Sequence, residues 1–345
     1  MLVAGGGIGT PNAAIAHGVG PVGPAEAWTA WNWDPWILLV LMTMTAVYVR
    51  GVSRLWRTAG RGRGIARWSA GCYLAGIWAL FVALISPVDA VGEALFSVHM
   101  IQHLLLMVVA APLLVLGRPP LAYLWALPDS ARAAFRRSWK HVSPARRIWR
   151  AASHPVVVLL LHVGALWAWH IPFLYEAALE RPLVHHLEHA SFFFTALLFW
   201  WALVRVGAHH KWPGYGAGIL YVFATALQSG ALGALMTFAP EPWYPAHEAG
   251  VTAWNLDLMF DQQVAGALMW VPMGIVYAAA VGVLLVAWLR EAERSVARRE
   301  RMGWERIPGV ASASPADVVR ETSRTHSLTA ERSDGRRTGE PDSSP

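Results

Sequence analysis

The stretch SVHMIQHLLLMVVAAPLLVLG, residues 97–117, places His99 and His103 at the head of a long apolar run. A run of about 20 apolar residues is long enough to cross the hydrocarbon core of a bilayer as a helix. The two histidines are four residues apart, so they share one face of that helix near its N-terminal end. The stretch therefore predicts a transmembrane helix that carries polar side chains close to one membrane surface.

The rest of the chain has the composition of a polytopic membrane protein. Of its 345 residues, 55% are hydrophobic, only 14% are charged and 20 are tryptophans, which favour the membrane–water interface. Helices are the only open-chain structures that satisfy their own backbone in lipid. The sequence thus predicts an all-α fold, a polytopic membrane helical bundle with seven transmembrane helices. The seven apolar segments are 33–49, 69–87, 96–116, 155–172, 188–206, 216–239 and 263–289.

The basic residues predict the orientation of the bundle. Of the 28 lysines and arginines, 27 lie in the connections and tail on one predicted side, and only Arg181 lies on the other. Because cytoplasmic loops are enriched in Lys and Arg, we expect the N-terminus outside and the C-terminus in the cytoplasm. The net charge of +6 is spread over short connections and the tail, so it does not indicate a nucleic-acid partner.

The domain organisation follows from the same patterns. We expect a flexible outer segment at 1–32, the seven-helix membrane domain at 33–290, and a basic, disordered cytoplasmic tail at 291–345. Cys72 is the single cysteine, which excludes an intramolecular disulfide and a CxxC motif. The sequence also has no phosphate-binding glycine loop, serine elbow or HExxH motif, and we therefore expect a protein that is not an enzyme.

Histidines gather on the predicted outer side of the bundle. The predicted metal ligands come from the third, fourth, fifth and seventh helices: His99, His103, His170, His185, His189 and Asp261. Imidazoles, with the thioether of Met107 one turn below His103, suit copper and in particular Cu(I). Asp261 could equally cap its own helix, Met107 could simply pack, and Glu188 could orient an imidazole or contact water.

Four motifs together resemble the CtaG family of integral-membrane cytochrome c oxidase assembly factors, over roughly residues 30–290. They are HMIQHLLLMVVAAPLLVLG (99–117), LWAWHIPFLYEAAL (166–179), HHLEHASFFFTALLFWW (185–201) and DQQVAGALMWVPMGIVY (261–277). One departure from the family pattern is Ala202, where a proline is expected. The positions that the resemblance singles out are His99, Met100, Gln102, His103, His170, His185, Glu188, His189, Asp261, Gln262, Met269, Trp270 and Pro272.

The resemblance implies a multi-pass protein of the bacterial plasma membrane that helps a haem–copper oxidase to mature, with copper handling at the outer site. It implies as partners the oxidase subunits or their assembly intermediates, besides the lipid bilayer. Two alternatives stay open at this point. One is a haem-binding protein with axial ligands from His103 and either His170 or His189. The other is a copper permease, which the apolar inner halves of the helices disfavour, with His162 and Gln228 as the main exceptions.

The predicted orientation can be tested by cysteine labelling in a Cys72→Ala background. The cysteine of the Glu180→Cys variant should react with a membrane-impermeant maleimide on intact cells, because position 180 lies in a predicted outer connection. A cysteine at Ser312→Cys, in the predicted cytoplasmic tail, should react only after the cells are lysed. The reverse pattern would contradict the orientation.

Overall fold

The structure is a computed structural model that describes residues 21–141, 143–206 and 214–304. Residues 1–20, the 207–213 connection with His209 and His210, and the tail after 304 lie outside the described residues, as do the expectations that concern them. The chain divides into two compact units, Met1–Leu284 and Leu285–Pro345. The candidate site lies in the first unit. In the second, the described residues are the mostly exposed end of a long helix, where Arg298 pairs with Glu291 at 2.7 Å.

The described chain is all-helical, which confirms the predicted fold class. Six helices are long and apolar enough to cross a membrane, and there are seven spans if one pair bent by 75° is counted as a single span. The first helix of the bent pair, Pro155–Trp169, covers most of the segment 155–172 that the sequence predicts as the fourth span, and the second, Pro172–Glu180, extends beyond it. The helices are α1 Pro35–Ala59, α2 Arg67–Ile85, α3 Pro87–Ala94, α4 Phe96–Leu116, α5 Pro119–Ala126, α6 Asp129–His141, α7 Ser143–Ala152, α8 Pro155–Trp169, α9 Pro172–Glu180, α10 Pro182–Val204, α11 Tyr215–Thr237, α12 Glu248–Ala253 and α13 Leu258–Trp304.

Hydrogen bonds between helix ends show that neighbouring spans alternate in direction. The N–H of Asn32, just before α1, donates to the carbonyl of Ile85 at the end of α2, at 3.0 Å. At the other end of the bundle, the Ser69 hydroxyl at the start of α2 donates to the carbonyl of Leu116 at the end of α4, at 2.6 Å. The end of α2 and the starts of α1 and α4 therefore belong to one face of the bundle. The ring contacts of His99 with His185 and of His170 with Phe192, and the hydrogen bond from Phe96 to Asp261, bring the start of α10, the end of α8 and the start of α13 to the same face.

Helix α4 changes its winding just below the two histidines. Leu105–Ala110 forms a π-helical segment, in which the N–H of Ala111 bonds to the carbonyl of Leu106, five residues back. The cause is local, since Pro112 has no N–H for the carbonyl of Val108 and a proline inside a span distorts the regular ladder. Trp200 of α10 donates its indole N–H to the carbonyl of Met107 at 2.9 Å, which holds the two helices together at this point. The other interior proline, Pro272, lies within α13, which continues as a helix beyond it.

Two glycines allow backbone to pack against backbone. A Cβ added at Gly51 of α1 would lie 1.9 Å from the carbonyl oxygen of Ala122 in α5. A Cβ added at Gly250 of α12 would lie 1.9 Å from the carbonyl oxygen of Ala94 at the end of α3. The second contact sets α12, and the short 3₁₀ turn Pro245–His247 before it, against the segment that leads into α4.

Gly51→Ala should destabilise the protein, because no flexible side chain is available to move away from the added methyl group. Alanine normally favours a helix over glycine by about 1 kcal/mol, but overpacking costs roughly 1–3 kcal/mol, so a net loss is expected. The thermal unfolding midpoint in detergent measures the effect. The matched control is Gly71→Ala in α2, where nothing lies within 4 Å of the added Cβ; this variant should unfold at the wild-type temperature or above. Equal midpoints for the two variants would contradict the packing argument.

Candidate metal centre

Helices α4 and α10 carry two histidine pairs to the same face of the bundle. Both pairs lie fully within their helices, since α4 begins at Phe96 and α10 at Pro182. The ring centroids of His99 and His103 are 4.3 Å apart, and those of His185 and His189 are 4.2 Å apart. The predicted sharing of one helix face is therefore confirmed for each pair.

Four side chains from the two helices converge closely enough to bind one ion. One ligand atom from each of His99, His185, Glu188 and His189 lies within 4.8 Å of every other. We call these four residues the donor cluster. His99, Glu188 and His189 are buried and His185 is half-buried, so the cluster has one partly open side.

Glu188 lies between the histidines of α4. Its Oε2 is 3.7 Å from Nε2 of His99, and its Oε1 is 3.7 Å from Nε2 of His103, while the residue itself is 0% exposed. These separations are too long for hydrogen bonds, and neither oxygen has another hydrogen-bond partner among the described residues. Sequence reasoning left Glu188 either as a group that orients an imidazole or as a residue in contact with water, and did not include it among the ligands. The available signal was the i, i+3 spacing from His185, which puts both side chains on one face of α10.

The imidazoles at the site share an unusual property in the described part of the chain. The following buried nitrogens have no hydrogen-bond partner there: Nδ1 and Nε2 of His99, Nδ1 and Nε2 of His103, Nε2 of His170 and Nε2 of His189. An unsatisfied buried polar group costs roughly 1–3 kcal/mol, and native structures contain few of them. A neutral imidazole has one lone pair and one N–H, and a bound metal ion would occupy the lone pair of each ring, so the donor set fits a metal.

His170 ends α8 with its ring turned in a defined direction. Its Nδ1 is 2.7 Å from the carbonyl oxygen of Leu166, which can only accept, so Nδ1 carries the proton and the lone pair of the neutral ring is on Nε2. The ring of Phe192 in α10 lies 6.2 Å from that of His170 and 4.6 Å from that of His103. His170 and His103 thus have Phe192 as a common neighbour, and neither is one of the four members of the donor cluster.

Asp261 is engaged elsewhere, and we leave it out of the ligand set that the sequence predicts. Its Oδ2 accepts the N–H of Phe96 at 2.7 Å, and its Oδ1 accepts the N–H and the hydroxyl of Ser97. The carboxylate therefore satisfies the first N–H groups of α4, which have no acceptor within their own helix. The capping alternative was correct in kind, but Asp261 caps the third span and not its own helix.

Tyr175 and His247 form a hydrogen-bonded pair next to His99 of the cluster. Nδ1 of His247 is 3.2 Å from the carbonyl oxygen of Ala94, so it carries the proton, and Nε2 accepts the hydroxyl of Tyr175 at 2.7 Å. Burial lowers the pKa of His247, against the opposing effects of the Ala94 carbonyl and the Asp261 carboxylate. Both ring nitrogens of His247 are thus occupied, while the ring of Tyr175 lies edge-on to His99 at 5.3 Å.

A second buried carboxyl, which sequence reasoning missed, supports α4 from behind. The side-chain amide of Gln102 donates to Asp89 at 2.6 Å and to the carbonyl of Ala83 at 2.8 Å, and Asn32 donates to the other oxygen of Asp89 at 2.7 Å. Burial raises the pKa of Asp89, although both hydrogen bonds act in the opposite direction. These hydrogen bonds explain why Gln102 belongs to the motif: it orients the helix face that carries His99 and His103.

Gln262, in the motif at 261–277, has a structural role in the described chain. Gln262 accepts the N–H of Trp243 at 2.6 Å and donates to the carbonyl of Met236 at 3.3 Å. Met100, Met107 and Met269 lie in the main hydrophobic core, which places the three sulfur side chains among packing residues.

Residues 46–291 match the family model described as cytochrome c oxidase caa3 assembly factor, Caa3_CtaG. The chain belongs to this family. Its relatives include uncharacterized proteins of Mycobacterium bovis and Mycobacterium tuberculosis, each 26% identical over 283 residues, and one of Mycobacterium leprae, 27% identical over 276 residues. These matches cover 79–80% of this chain but only 41–42% of the relatives, so the Caa3_CtaG chain spans about two fifths of their length. No solved structure matches it.

Asp261→Ala should lower stability without removing a metal ligand. Loss of a capping carboxylate typically costs about 1 kcal/mol, and here it leaves the start of α4 without an acceptor. The thermal unfolding midpoint should fall, while the copper retained per folded chain after removal of excess metal should equal that of wild type. Glu241→Ala, at an exposed position near the same face, is the control and should change neither quantity. Loss of bound copper at an unchanged midpoint would instead make Asp261 a ligand.

Proposed function

We propose that this Caa3_CtaG protein supports oxidase maturation by holding copper in the donor cluster of His99, His185, Glu188 and His189. The observation that carries the proposal is the convergence of four ligand atoms within 4.8 Å, three of them on buried residues. Assembly is the role that the family's description gives. Copper at this centre, and the oxidase subunits or assembly intermediates as partners, are the extension made here.

The chemistry of the cluster supports copper as cargo. Three imidazoles and one carboxylate, without a thiolate, form a donor set that binds copper but lacks the ligands typical of a closed structural zinc site. The half-buried His185 lies on the more open side of the cluster, where a copper ion would enter and leave. Holding and releasing an ion requires no covalent step, so the proposal needs no enzymatic activity.

The deeper polar residues favour storage over transport. Nδ1 of His162 pairs with the hydroxyl of Thr195 at 3.0 Å, and Trp167 donates to Oε1 of Gln228 at 2.9 Å. A permease needs polar steps through the full depth of the membrane. Here Nδ1 of His162 and Oε1 of Gln228, the two exceptions noted in the sequence, are engaged by neighbouring side chains, whereas the unpaired histidine nitrogens lie at one face of the bundle.

The packing of the rings disfavours one of the two axial pairs that a haem could use. His103 and His189 were one candidate axial pair, yet their ring centroids are only 5.3 Å apart in an edge-on contact. Axial ligands lie on opposite sides of a porphyrin, and two rings in direct contact leave no space for that plane.

The proposal predicts that His99→Ala and His189→Ala each lose the copper ion held in the donor cluster. The full chain, purified in detergent, is loaded anaerobically with Cu(I), and excess metal is removed with a chelator before metal analysis. Wild type should retain copper, and each variant should lose at least tenfold in affinity, because each removes one of four ligands. The matched control is His186→Ala, since the exposed His186 lies next to His185 but outside the cluster. Unchanged retention in the His99→Ala/His189→Ala double variant would refute the proposal.

A cellular experiment tests the link to the oxidase. In a deletion strain carrying the double variant, the oxidase should contain normal haem but less copper, and added copper should restore part of its activity. Wild type and His186→Ala should restore full copper content without supplement. A normal copper content of the oxidase in the double-variant strain would show that oxidase assembly does not depend on this centre.

A further inference from the structure

The site contains more donors than one ion can use. A single copper bound by His99, His185, His189 and one oxygen of Glu188 is fully coordinated. Both nitrogens of His103, Nε2 of His170 and the second oxygen of Glu188 then still have no hydrogen-bond partner in the described chain. All three residues are at most 4% exposed. These remaining donors are therefore buried without partners, which costs free energy, and a second bound ion would reduce that cost.

The two oxygens of Glu188 face different histidines. Oε2 lies 3.7 Å from Nε2 of His99, and Oε1 lies 3.7 Å from Nε2 of His103. His99 and His103 are one helical turn apart, so the two oxygens lie next to successive turns on the same face of α4. A carboxylate in this position can ligate two ions, one with each oxygen.

We propose a second copper position, formed by Oε1 of Glu188, His103 and His170, so that Glu188 is shared between two ions. This inference rests on the proposed function of the donor cluster and deepens it. The first position has its open side at His185. The second lies one turn further along α4, where both histidines are buried and contact Phe192.

The position of His170 supports its part in the second site. Its proton is held on Nδ1 by the carbonyl of Leu166, which leaves Nε2 as the ligand atom of a neutral ring. His170 and His103 also share Phe192 as a neighbouring ring, at 6.2 Å and 4.6 Å between centroids. This is the arrangement in which a backbone acceptor fixes the tautomer and direction of a ligating imidazole.

The charges at the site permit two monovalent ions. Two Cu(I) ions with one Glu188 carboxylate leave a single net positive charge. The carboxylate of Asp261 lies at the start of α4, where it accepts hydrogen bonds from Phe96 and Ser97, two residues before His99. Asp261 is held by these hydrogen bonds and is not a ligand of either ion, so the charge of the two ions is balanced at the site by Glu188 alone.

The test is an anaerobic titration of the detergent-purified full chain with Cu(I) alone, against a chelator of known affinity. Wild type should bind two copper ions per chain. His103→Ala and His170→Ala should each bind one, with affinity within threefold of the tighter wild-type site. His154→Ala, at an exposed histidine before α8 on the opposite face of the bundle, is the control and should bind two. X-ray absorption of the two-copper form should show copper–copper scattering that His170→Ala abolishes.

The outcomes separate this inference from the proposed function. One copper per wild-type chain, lost in His189→Ala but kept in His170→Ala, would overturn the second position and leave the first. No bound copper in wild type would overturn both. Two ions without copper–copper scattering would overturn the sharing of Glu188. A gel-filtration profile in detergent identical to that of wild type shows that each variant is folded. His170→Phe is a second variant that removes the ligand nitrogen but keeps a ring at this position, and it should also bind one copper ion.

Discussion

The hydrogen bonds from the start of α4 to Asp261 are the interaction on which the start of this helix depends. The first N–H groups of any helix lack partners in their own helix, and within a membrane water cannot supply them. Asp261, 165 residues further along the chain, supplies both oxygens to Phe96 and Ser97. The start of α4 is thereby fixed against α13, and His99 and His103 follow within the next two turns. Gln102, held by Asp89 and Ala83, sets the rotation of the same helix.

The unpaired nitrogens at the centre are informative when they are compared with other buried histidines of the described chain. His247 has a partner at each nitrogen, and His162 pairs with Thr195. These histidines show that the fold supplies partners for imidazoles when an imidazole serves the structure alone. At His99 and His103 it supplies none among the described residues, while placing a carboxylate 3.7 Å away from each. The contrast within one bundle is the physical basis for assigning the cluster to a ligand.

Hydropathy and spacing predicted the fold class and the two histidine pairs, because both depend on local periodicity. They did not predict the break between α8 and α9, where His170 and Ile171 separate helices bent by 75°. Pro172 signalled a boundary there, but not the angle. Nor could spacing show which helix a polar residue faces. Asp261 was expected among the ligands, and Glu188 beside them, because the choice between a cap and a ligand depends on tertiary contacts that a sequence period does not contain.

The presence of a carboxylate in a histidine cluster has its own electrostatic reason. A cation bound only by neutral imidazoles would leave a full charge in a low-dielectric interior, at a cost of several kcal/mol. Glu188, which is 0% exposed, would carry the same cost if it were ionised without a counter-charge. Each of the two buried charges is acceptable only in the presence of the other. Binding of a cation therefore stabilises the ionised carboxylate, and the carboxylate in turn selects a cation over any neutral ligand for the centre.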